Sequence, residues 1–302
     1  MAIINRYREG VPLPKRLLED VRYRFRRRRL YYLNNKTHET VLFYPQYPSK
    51  RAVLYKLLGI LNYNRTNNPG QDYNLVVNWE DTTFRNQYSL LDDIAADKGV
   101  VNYNCKDISK KHVDEVFNQV FGYRTRVDPR TYKGKCLQKN DLNALHDGIE
   151  ITAPIKNPRK DCIYQIIINN KYDENLVEDI RVPVIGSSLP FGYLKYKPMT
   201  GRYGSFLTSH DFNKDTEIVK INDVFKSDEI EMIKQFVIQF GLEYGELDIL
   251  RNRDDGKIYI IDANNTPTGP SHLDKSTRRR VLNILAETFK REFLDNPRYR
   301  IK

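Results

Sequence analysis

The sequence lacks any long apolar run. None of its 302 residues belong to a stretch that approaches the roughly 18–20 apolar residues of a membrane span. The first residues, MAIINRYREGVPLPKRL, contain no apolar segment of the kind that a signal peptide requires. We therefore expect neither a membrane-spanning helix nor a secretory signal.

Cysteine is scarce as well. Cys105, Cys136 and Cys162 are scattered, form no CxxC pair and do not have the spacing of a zinc site. An odd, dispersed set of this kind favours reduced structural thiols. We expect a cytoplasmic protein without structural zinc.

Internal repeats and low-complexity segments are also missing, and an apolar content of 40% is enough for a real core. Positive charge, in contrast, is abundant, since the formal net charge is +11. The segment Arg22–Tyr32, RYRFRRRRLYY, holds six arginines and no acid. Such a run predicts contact with nucleic acid or an anionic membrane surface, or else a solvated helix face or an arm that touches another subunit.

The first part of the chain has a strand–helix–strand order that is typical of a parallel α/β layer. We predict a helix over 16–33, a strand over 39–44, a helix from a Ser49 cap to Leu61 and a strand over 73–78. Ser109 predicts the start of a further helix, and Gly122 its end.

In the second part, strands dominate. We predict strands over 136–139, 161–168 and 178–185, a polar loop over 141–148, a helix capped by Ser227 and ended by Gly241, and a basic helix over 276–293. Residues 246–250 and 257–262 predict a β-hairpin around Asp254-Asp-Gly256.

The hairpin carries a set of oxygen-bearing side chains. Side chains alternate along a strand, so Glu246 and Asp248 share one face, as do Asp262 and Asn264. If the two faces agree, up to three carboxylates and an amide oxygen converge, which suits a hard cation such as Mg²⁺. The alternative is a set of ordinary polar positions on a solvent-exposed face.

Two motifs in this region resemble a known family. Glu246-Leu-Asp248, Asp262-Ala-Asn264 and the following turn to Pro270 are similar to the C-terminal signature of the ATP-grasp superfamily. Asp179-Ile-Arg181-Val182 resembles a strand of its ribosomal-protein glutamate ligase-type carboxylate–amine ligases. The resemblance covers roughly 135–270.

The resemblance implies an α/β ATP-grasp fold with two subdomains that clasp ATP. We expect an N-terminal α/β domain over 1–115 with the basic arm and an ATP-grasp domain over 116–302. Within the latter, the lid subdomain spans about 116–165 and the C-terminal subdomain about 166–302.

The resemblance also implies site residues. Mg²⁺, or Mn²⁺ in its place, is expected on Asp248, Asp262 and Asn264, with Glu246 a weaker fourth ligand. The expected nucleotide contacts are Lys139, His146, Gln165, Ile166, Ile168, Asp179 and Lys195. The expected catalytic residues are Arg181, Lys197 and Arg202.

Each of these residues has a structural alternative. Lys139 is also typical of an exposed strand end, and residues 164–168 of a plain core strand. Arg181 also suits a salt bridge to Asp179 or Glu178. The lysines and arginine of 195–202 also suit a solvated basic loop.

The sequence departs from the family pattern at two places. The loop after Lys139 has a single glycine, so His146 and Asn143 are candidates to contact phosphate through their side chains. The family's earlier lysine, ahead of the lid, is not evident, and Arg124, Arg126 and Arg130 are candidate replacements.

The resemblance implies an ATP- and Mg²⁺-dependent ligase that joins a carboxylate to an amine or thiol through an acyl phosphate, and the net charge of +11 suggests an anionic substrate. Two alternatives remain open. One is a kinase on the same fold, and the other is a polyanion-binding protein with a degenerate ATP site. The sequence leaves the substrate and the oligomeric state open.

Overall fold

A computed structural model describes residues 39–145, 147–200, 202–203, 216–270 and 273–301, together with isolated helical residues between 14 and 32. In that N-terminal segment, the described Arg22, Arg24, Arg28 and Arg29 are exposed, and so is Phe25. The other residues of the predicted helix over 16–33 lie outside the described part. None of the described helices combines the length and apolarity that crossing a membrane requires.

The N-terminal part forms a three-stranded parallel sheet, as predicted from its strand–helix–strand order. Its strand order is β2-β1-β3, with both neighbours parallel to β1. The elements are β1 (Thr40–Pro45), α1 (Val53–Leu61), β2 (Asn64–Thr66), β3 (Leu75–Trp79) and α2 (Ser89–Ala95).

Helix α1 begins later than predicted. Ala52, and not Ser49, occupies its N-cap position, and no side chain caps the helix. Instead the backbone N–H of Val53 donates to the carbonyl oxygen of Pro267 at 2.9 Å. A distant turn of the chain thus satisfies an N–H group that a local serine was expected to satisfy.

Helix α3 (Lys110–Phe121) has the predicted ends. The Ser109 hydroxyl accepts a hydrogen bond from His112 N–H at 3.3 Å. Gly122 ends the helix in the left-handed region, with φ of 76°, which glycine adopts without strain. A small antiparallel sheet follows, in the order β5-β4-β6. Its strands are β4 (Gly134–Asn140), β5 (Ile149–Ala153) and β6 (Cys162–Ile166).

A five-stranded antiparallel sheet forms the C-terminal part, in the order β11-β10-β7-β8-β9. Its strands are β7 (Leu176–Ile185), β8 (Gly192–Pro198), β9 (Thr216–Val219), β10 (Tyr244–Arg251) and β11 (Ile258–Asn264). Between β9 and β10 lie α4 (Ile221–Val224) and α5 (Ser227–Phe240). Lys226, and not the predicted Ser227, is the N-cap of α5, and its N–H donates to the Glu229 side chain at 2.9 Å. Gly241 ends α5 as predicted.

The two faces of this sheet differ in polarity. Ile180, Val182 and Val184 of β7 pack in one hydrophobic core with Ile233 and Phe236 of α5. Because side chains alternate along a strand, the residues between them lie on the opposite face. That face carries the polar side chains of the candidate site.

The last helix, α6 (Lys275–Phe289), continues into a π-helical turn over Lys290–Leu294, so the predicted single helix changes its hydrogen-bonding pattern near its end. Val281, Leu285 and Phe289 share a hydrophobic core with Leu54 and Leu57 of α1. The C-terminal helix therefore completes the core of the N-terminal part.

Candidate active site

The hairpin β10–β11 brings its four polar side chains to one face, as its sequence pattern predicted. Asp248 lies directly opposite Asp262, and Glu246 lies directly opposite Asn264. Directly opposite side chains in an antiparallel pair are about 4.5–5.5 Å apart at their Cβ atoms. The four residues therefore form a compact block of oxygen atoms.

Arg181 lies at the edge of this block. Its Nε and Nη2 donate to the two carboxylate oxygens of Asp248 at 2.6 and 2.8 Å, and its Nη1 lies 3.5 Å from Glu246. Burial acts to raise the pKa of Asp248, but the Arg181 guanidinium outweighs it and holds that pKa well below its usual range.

The salt bridge considered from the sequence, from Arg181 to Asp179 or Glu178, is therefore not the one that forms. Asp248 faces Arg181 directly in the register of β10 and β7. Asp179 is hydrogen-bonded to Lys197, and Glu178 pairs with Arg253 at 3.5 Å. Glu178 lies on the opposite face of β7 from Arg181. Asp179 shares its face but is two residues away along the strand, about 6.8 Å, whereas a directly opposite cross-strand neighbour is about 4.5–5.5 Å away at its Cβ atom.

Asp262 is the acid of the block without a cationic partner at hydrogen-bonding distance. Its Oδ1 is buried and has no hydrogen-bond partner among the described residues. Burial, assisted by the nearby charge of Asp248, raises its pKa to about 6, while Lys110 and Lys139 oppose that shift. A buried carboxylate oxygen without a partner is costly, and a bound cation would satisfy it.

Lys139, on β4, faces Asp262 from the small sheet. Burial lowers the pKa of its ammonium group to about 8, while the carboxylates of Asp262 and Asp179 oppose that shift. The structure thus brings a lysine of the small sheet close enough to interact electrostatically with Asp262 of the hairpin, although they lie on different sheets.

Lys110 is a site residue that the sequence reasoning missed. It occupies the first position of α3, its Nζ donates to the Leu142 carbonyl at 2.6 Å, and its charge affects the pKa of both Asp262 and Lys139. In the sequence, Lys110 could have been recognised as a lysine that directly follows a helix-capping serine and precedes strand β4.

The three arginines that were candidates to replace the family's earlier lysine lie away from the hairpin acids. Arg124, Arg126 and Arg130 are largely exposed, and each lies near an acid of its own neighbourhood, at 3.8 to 3.9 Å. Lys110 takes the position beside the acids because α3 packs against β11.

The glycine-poor loop after β4 is held by side-chain hydrogen bonds. Asn140 N–H donates to Asp147 at 3.0 Å, and Leu142 N–H donates to the Asn140 side chain at 2.9 Å. Asn143 N–H donates to the Thr83 hydroxyl at 3.0 Å, which ties the loop to the N-terminal part. His146, the other residue predicted in this loop, lies outside the described residues.

Strand β8 carries two lysines on the polar face of the large sheet. Lys197 donates a hydrogen bond to Asp179, which also accepts one from Asn170 at 2.9 Å. Lys195 pairs with Asp179 in the strand register, but its ammonium has no ion pair or hydrogen bond with any described residue. Burial and the neighbouring Arg181 lower the pKa of Lys195 to about 8.

The strand predicted to meet adenine is paired on both edges. Ile166 N–H donates to Thr125 O at 2.8 Å, and the buried side chain of Gln165 donates to the Thr125 hydroxyl at 2.8 Å. The Ile168 carbonyl accepts a hydrogen bond from Arg202 at 2.9 Å. The Gln165 side chain is therefore buried within the part of the chain that carries the small sheet, and Arg202 lies beside the end of this strand.

The turn that follows β11 joins the site to the N-terminal part. The Asn264 side-chain oxygen accepts a hydrogen bond from Thr266 N–H at 2.9 Å, and the Thr266 hydroxyl donates to Asp81 at 2.9 Å. The Lys56 ammonium donates to the Gly269 carbonyl at 2.6 Å. The Thr266 hydrogen bond orients the Asn264 side chain, and the Lys56 contact holds the turn.

The resulting arrangement places carboxylate and amide oxygens next to lysines from three elements. Within the described ranges, no group of three or more His, Cys, Asp or Glu side chains is arranged to hold a metal ion. A cation here would therefore take two carboxylates and an amide oxygen from the protein and its other ligands from elsewhere. This is the coordination that Mg²⁺ adopts beside phosphates.

No family model and no curated protein sequence matches the chain. Several solved structures, in contrast, are similar to it in fold. A structure of the ATP-grasp ligase PsnB complexed with minimal precursor is 14% identical, with a TM-score of 0.44 and 64% of each chain covered. The match therefore spans 64% of the length of the PsnB chain, slightly less than two thirds.

Two further structures match over more of their length. The D-cycloserine synthetase DcsG is 11% identical, with a TM-score of 0.47 and 83% of this chain and 99% of that chain covered. The D-alanine–D-alanine ligase from Bacillus anthracis is 10% identical, with a TM-score of 0.47 and 84% of this chain and 97% of that chain covered. The mixed α/β fold class predicted from the sequence is confirmed, and the structures similar to the chain include ATP-grasp ligases.

Proposed function

We propose that the protein is an ATP-grasp ligase that uses ATP and Mg²⁺ to join a carboxylate to an amine or thiol, with release of ADP. The observation that carries the proposal is the facing pair Asp248 and Asp262, with Asn264 beside them and Lys110 and Lys139 opposite. Acids and lysines at one point suit a site for a metal and phosphates.

The hairpin residues fit the metal. Among the described residues, the buried Oδ1 of Asp262 has no partner, and the amide oxygen of Asn264 accepts one hydrogen bond, from Thr266 N–H, because the Thr266 hydroxyl donates its proton to Asp81. An amide oxygen has two lone pairs, so it can accept a further contact. Asp248, Asp262 and Asn264 would hold Mg²⁺, which neutralises phosphate charge when bound.

We assign the cationic side chains to different anionic groups of the substrates. Lys139 and Lys110 approach Asp262 from the lid and from α3, and we assign both to ATP phosphates. A lysine acts there as a point charge for phosphate oxygens. Arg181 binds Asp248 and lines the neighbouring cavity, so we assign it to the carboxylate being activated.

The reaction needs little covalent help from the protein. A carboxylate oxygen of the substrate attacks the γ-phosphorus of ATP, and ADP leaves. The amine or thiol then attacks the carbonyl carbon of the acyl phosphate, and inorganic phosphate leaves. The protein positions the reactants and stabilises their negative charge, which supports phosphoryl transfer.

A titration with Mg²⁺–ATP tests the proposal. We expect binding by the wild type and at least tenfold weaker binding by the double variant Asp262→Ala with Asn264→Ala, because both changes remove metal ligands. The exposed pair Asp97→Ala with Asn283→Ala is the control and should bind as the wild type does. Equal affinity in the Asp262 and Asn264 double variant would overturn the metal assignment.

Product analysis separates a ligase from a kinase. A ligase releases ADP in proportion to the amide or thioester that it forms, so omission of the amine or thiol slows turnover. A stable phosphorylated product, formed without any amine or thiol, would favour a kinase at the same site.

A further inference from the structure

A cavity of about 170 Å³ is lined by Arg181 but not by Asp248 or Asp262. Its wall includes Lys195 and Thr216 from the β8–β9 edge, Glu246 from β10, and the apolar Pro270 and Leu273. For scale, a buried cavity of about 150 Å³ holds a molecule of the size of benzene. The cavity therefore suits a small molecule.

One wall of the cavity is suited to an anionic group. Lys195 and Thr216 lie directly opposite each other on neighbouring strands. The Thr216 hydroxyl is buried without a hydrogen-bond partner among the described residues, and the Lys195 ammonium likewise has none there. A carboxylate between them would accept hydrogen bonds from both groups, which is the usual way to satisfy such donors.

Another part of the lining, on strand β10 of the same sheet, is suited to a cationic group. Glu246 is the one acid among the described lining residues, and only 6% of its surface is exposed. Among the described residues its carboxylate has one long contact, 3.5 Å to Nη1 of Arg181, and the Nε and Nη2 atoms of that arginine are bound to Asp248. A buried carboxylate with so little compensation favours a positively charged partner.

We propose that this cavity binds one small free α-amino acid, with its carboxylate on Lys195 and Thr216 and its ammonium on Glu246. Pro270 and Leu273 contact its side chain. The inference rests on the proposed function, because it names one of the two substrates of the ligase. It assigns Glu246 to substrate recognition, and the metal to the other three hairpin residues.

The charge pattern also sets the specificity. A dicarboxylate without an amine would place its second negative charge against Glu246, and a simple amine would leave Lys195 and Thr216 without a partner. Both mismatches leave buried polar groups unsatisfied, which discriminates more strongly than lost apolar contact.

The test begins with the full chain and the free amino acids, measured by thermal shift and calorimetry with and without Mg²⁺ and a non-hydrolysable ATP analogue. We expect at least one amino acid to raise the melting temperature. Its des-amino acid and its decarboxylated amine should each bind about tenfold weaker or more, since each lacks one charged contact. If no amino acid binds in either condition, the inference is wrong.

Substitutions then assign the two ends of the ligand. Glu246→Gln should weaken binding of the amino acid about tenfold and leave binding of the des-amino acid unchanged. Thr216→Val should weaken both of these ligands and spare the amine, as should Lys195→Met. An equal loss of amino acid and des-amino acid in Glu246→Gln would contradict the proposed ammonium contact.

Two further measurements distinguish a failure of this inference from a failure of the proposed function. Glu217→Gln changes an exposed acid on β9 outside the cavity and should bind like the wild type. If the wild type binds Mg²⁺–ATP but no amino acid, the inference fails alone. If it binds an amino acid but no ATP, the proposed function fails alone.

Discussion

Lys139 and Lys195 place ammonium groups inside the protein, where burial lowers the pKa of each to about 8. A lysine in this state remains charged at neutral pH but loses its charge within a mildly alkaline range. Both residues face space that we assign to anions. The charge that attracts the ligand is therefore sensitive to pH.

We predict that Lys139→Met weakens Mg²⁺–ATP binding about tenfold at pH 7, because it removes a charged contact to phosphate. In the wild type, affinity should fall as pH rises through about 8, since the protonated form binds the anion and is lost above the folded-state pKa. Lys139→Arg should retain its affinity at pH 9. Calorimetric titrations at pH 7, 8 and 9 measure these effects.

Lys135 provides the matched control on the same strand. It is exposed and pairs with Glu150 at 2.6 Å, away from the hairpin acids. Lys135→Met should leave ATP affinity unchanged at each pH. Wild-type affinity in Lys139→Met at pH 7 would remove Lys139 from the phosphate site.

At the scale of elements, the hairpin β10–β11 requires a glycine at its entrance. A Cβ atom on Gly245 would lie 2.4 Å from the carbonyl oxygen of Asn264 and 2.7 Å from Leu242. The first of these is a backbone atom, so the clash is relieved only by moving strand β11. The same strand carries Asp262 and Asn264.

We predict that Gly245→Ala lowers the free energy of unfolding by about 1–3 kcal/mol, because overpacking displaces the hairpin. Gly59→Ala is a contrasting test, since its Cβ would meet only Arg65 Nη1 at 3.7 Å, in the interior of α1. That change should raise stability by about 0.5–1 kcal/mol through higher helix propensity. Urea unfolding curves measure both, and equal effects of the two changes would contradict the assignment.

At the scale of the whole molecule, Asn102 connects the N-terminal part to the large sheet. It is fully buried, and its side-chain oxygen accepts hydrogen bonds from Glu243 N–H and Tyr244 N–H at 2.9 and 2.8 Å. Its side-chain amide donates to Tyr244 O at 2.7 Å. One side chain therefore satisfies three backbone groups at the start of β10.

We predict that Asn102→Ala lowers the free energy of unfolding by about 2–4 kcal/mol, because it leaves buried backbone groups without partners. Asn102 has φ of 61°, so part of the loss comes from placing alanine in the left-handed region. Asn102→Gly removes that part and should recover about 1 kcal/mol. Chemical denaturation of the full chain measures both variants.

The exposed Asn283 on α6 is the control for this change. Asn283→Ala should have an effect within about 0.5 kcal/mol of zero. If Asn102→Ala is as mild as the control, the connection between the two parts of the molecule does not depend on Asn102.

Local patterns in the sequence determined both ends of α3, the C-terminal end of α5 and the pairing of the hairpin. Ser109 and Gly122 act on backbone groups within a few residues, and the turn at Asp254-Asp-Gly256 lies between the two strands that it joins. The common face of Glu246, Asp248, Asp262 and Asn264 followed from alternation and turn length. These interactions join residues that are close together along the chain, so local sequence patterns were enough to predict them.

Only the tertiary structure decided which cations lie beside those acids. Arg181 and Asp248 are 67 residues apart, and they meet because β7 and β10 pair in one register. Lys110 reaches Asp262 because α3 packs on β11, and Pro267 replaces Ser49 at the start of α1. Such contacts depend on strand register and packing between distant segments, and neither leaves a periodic signal in a single sequence.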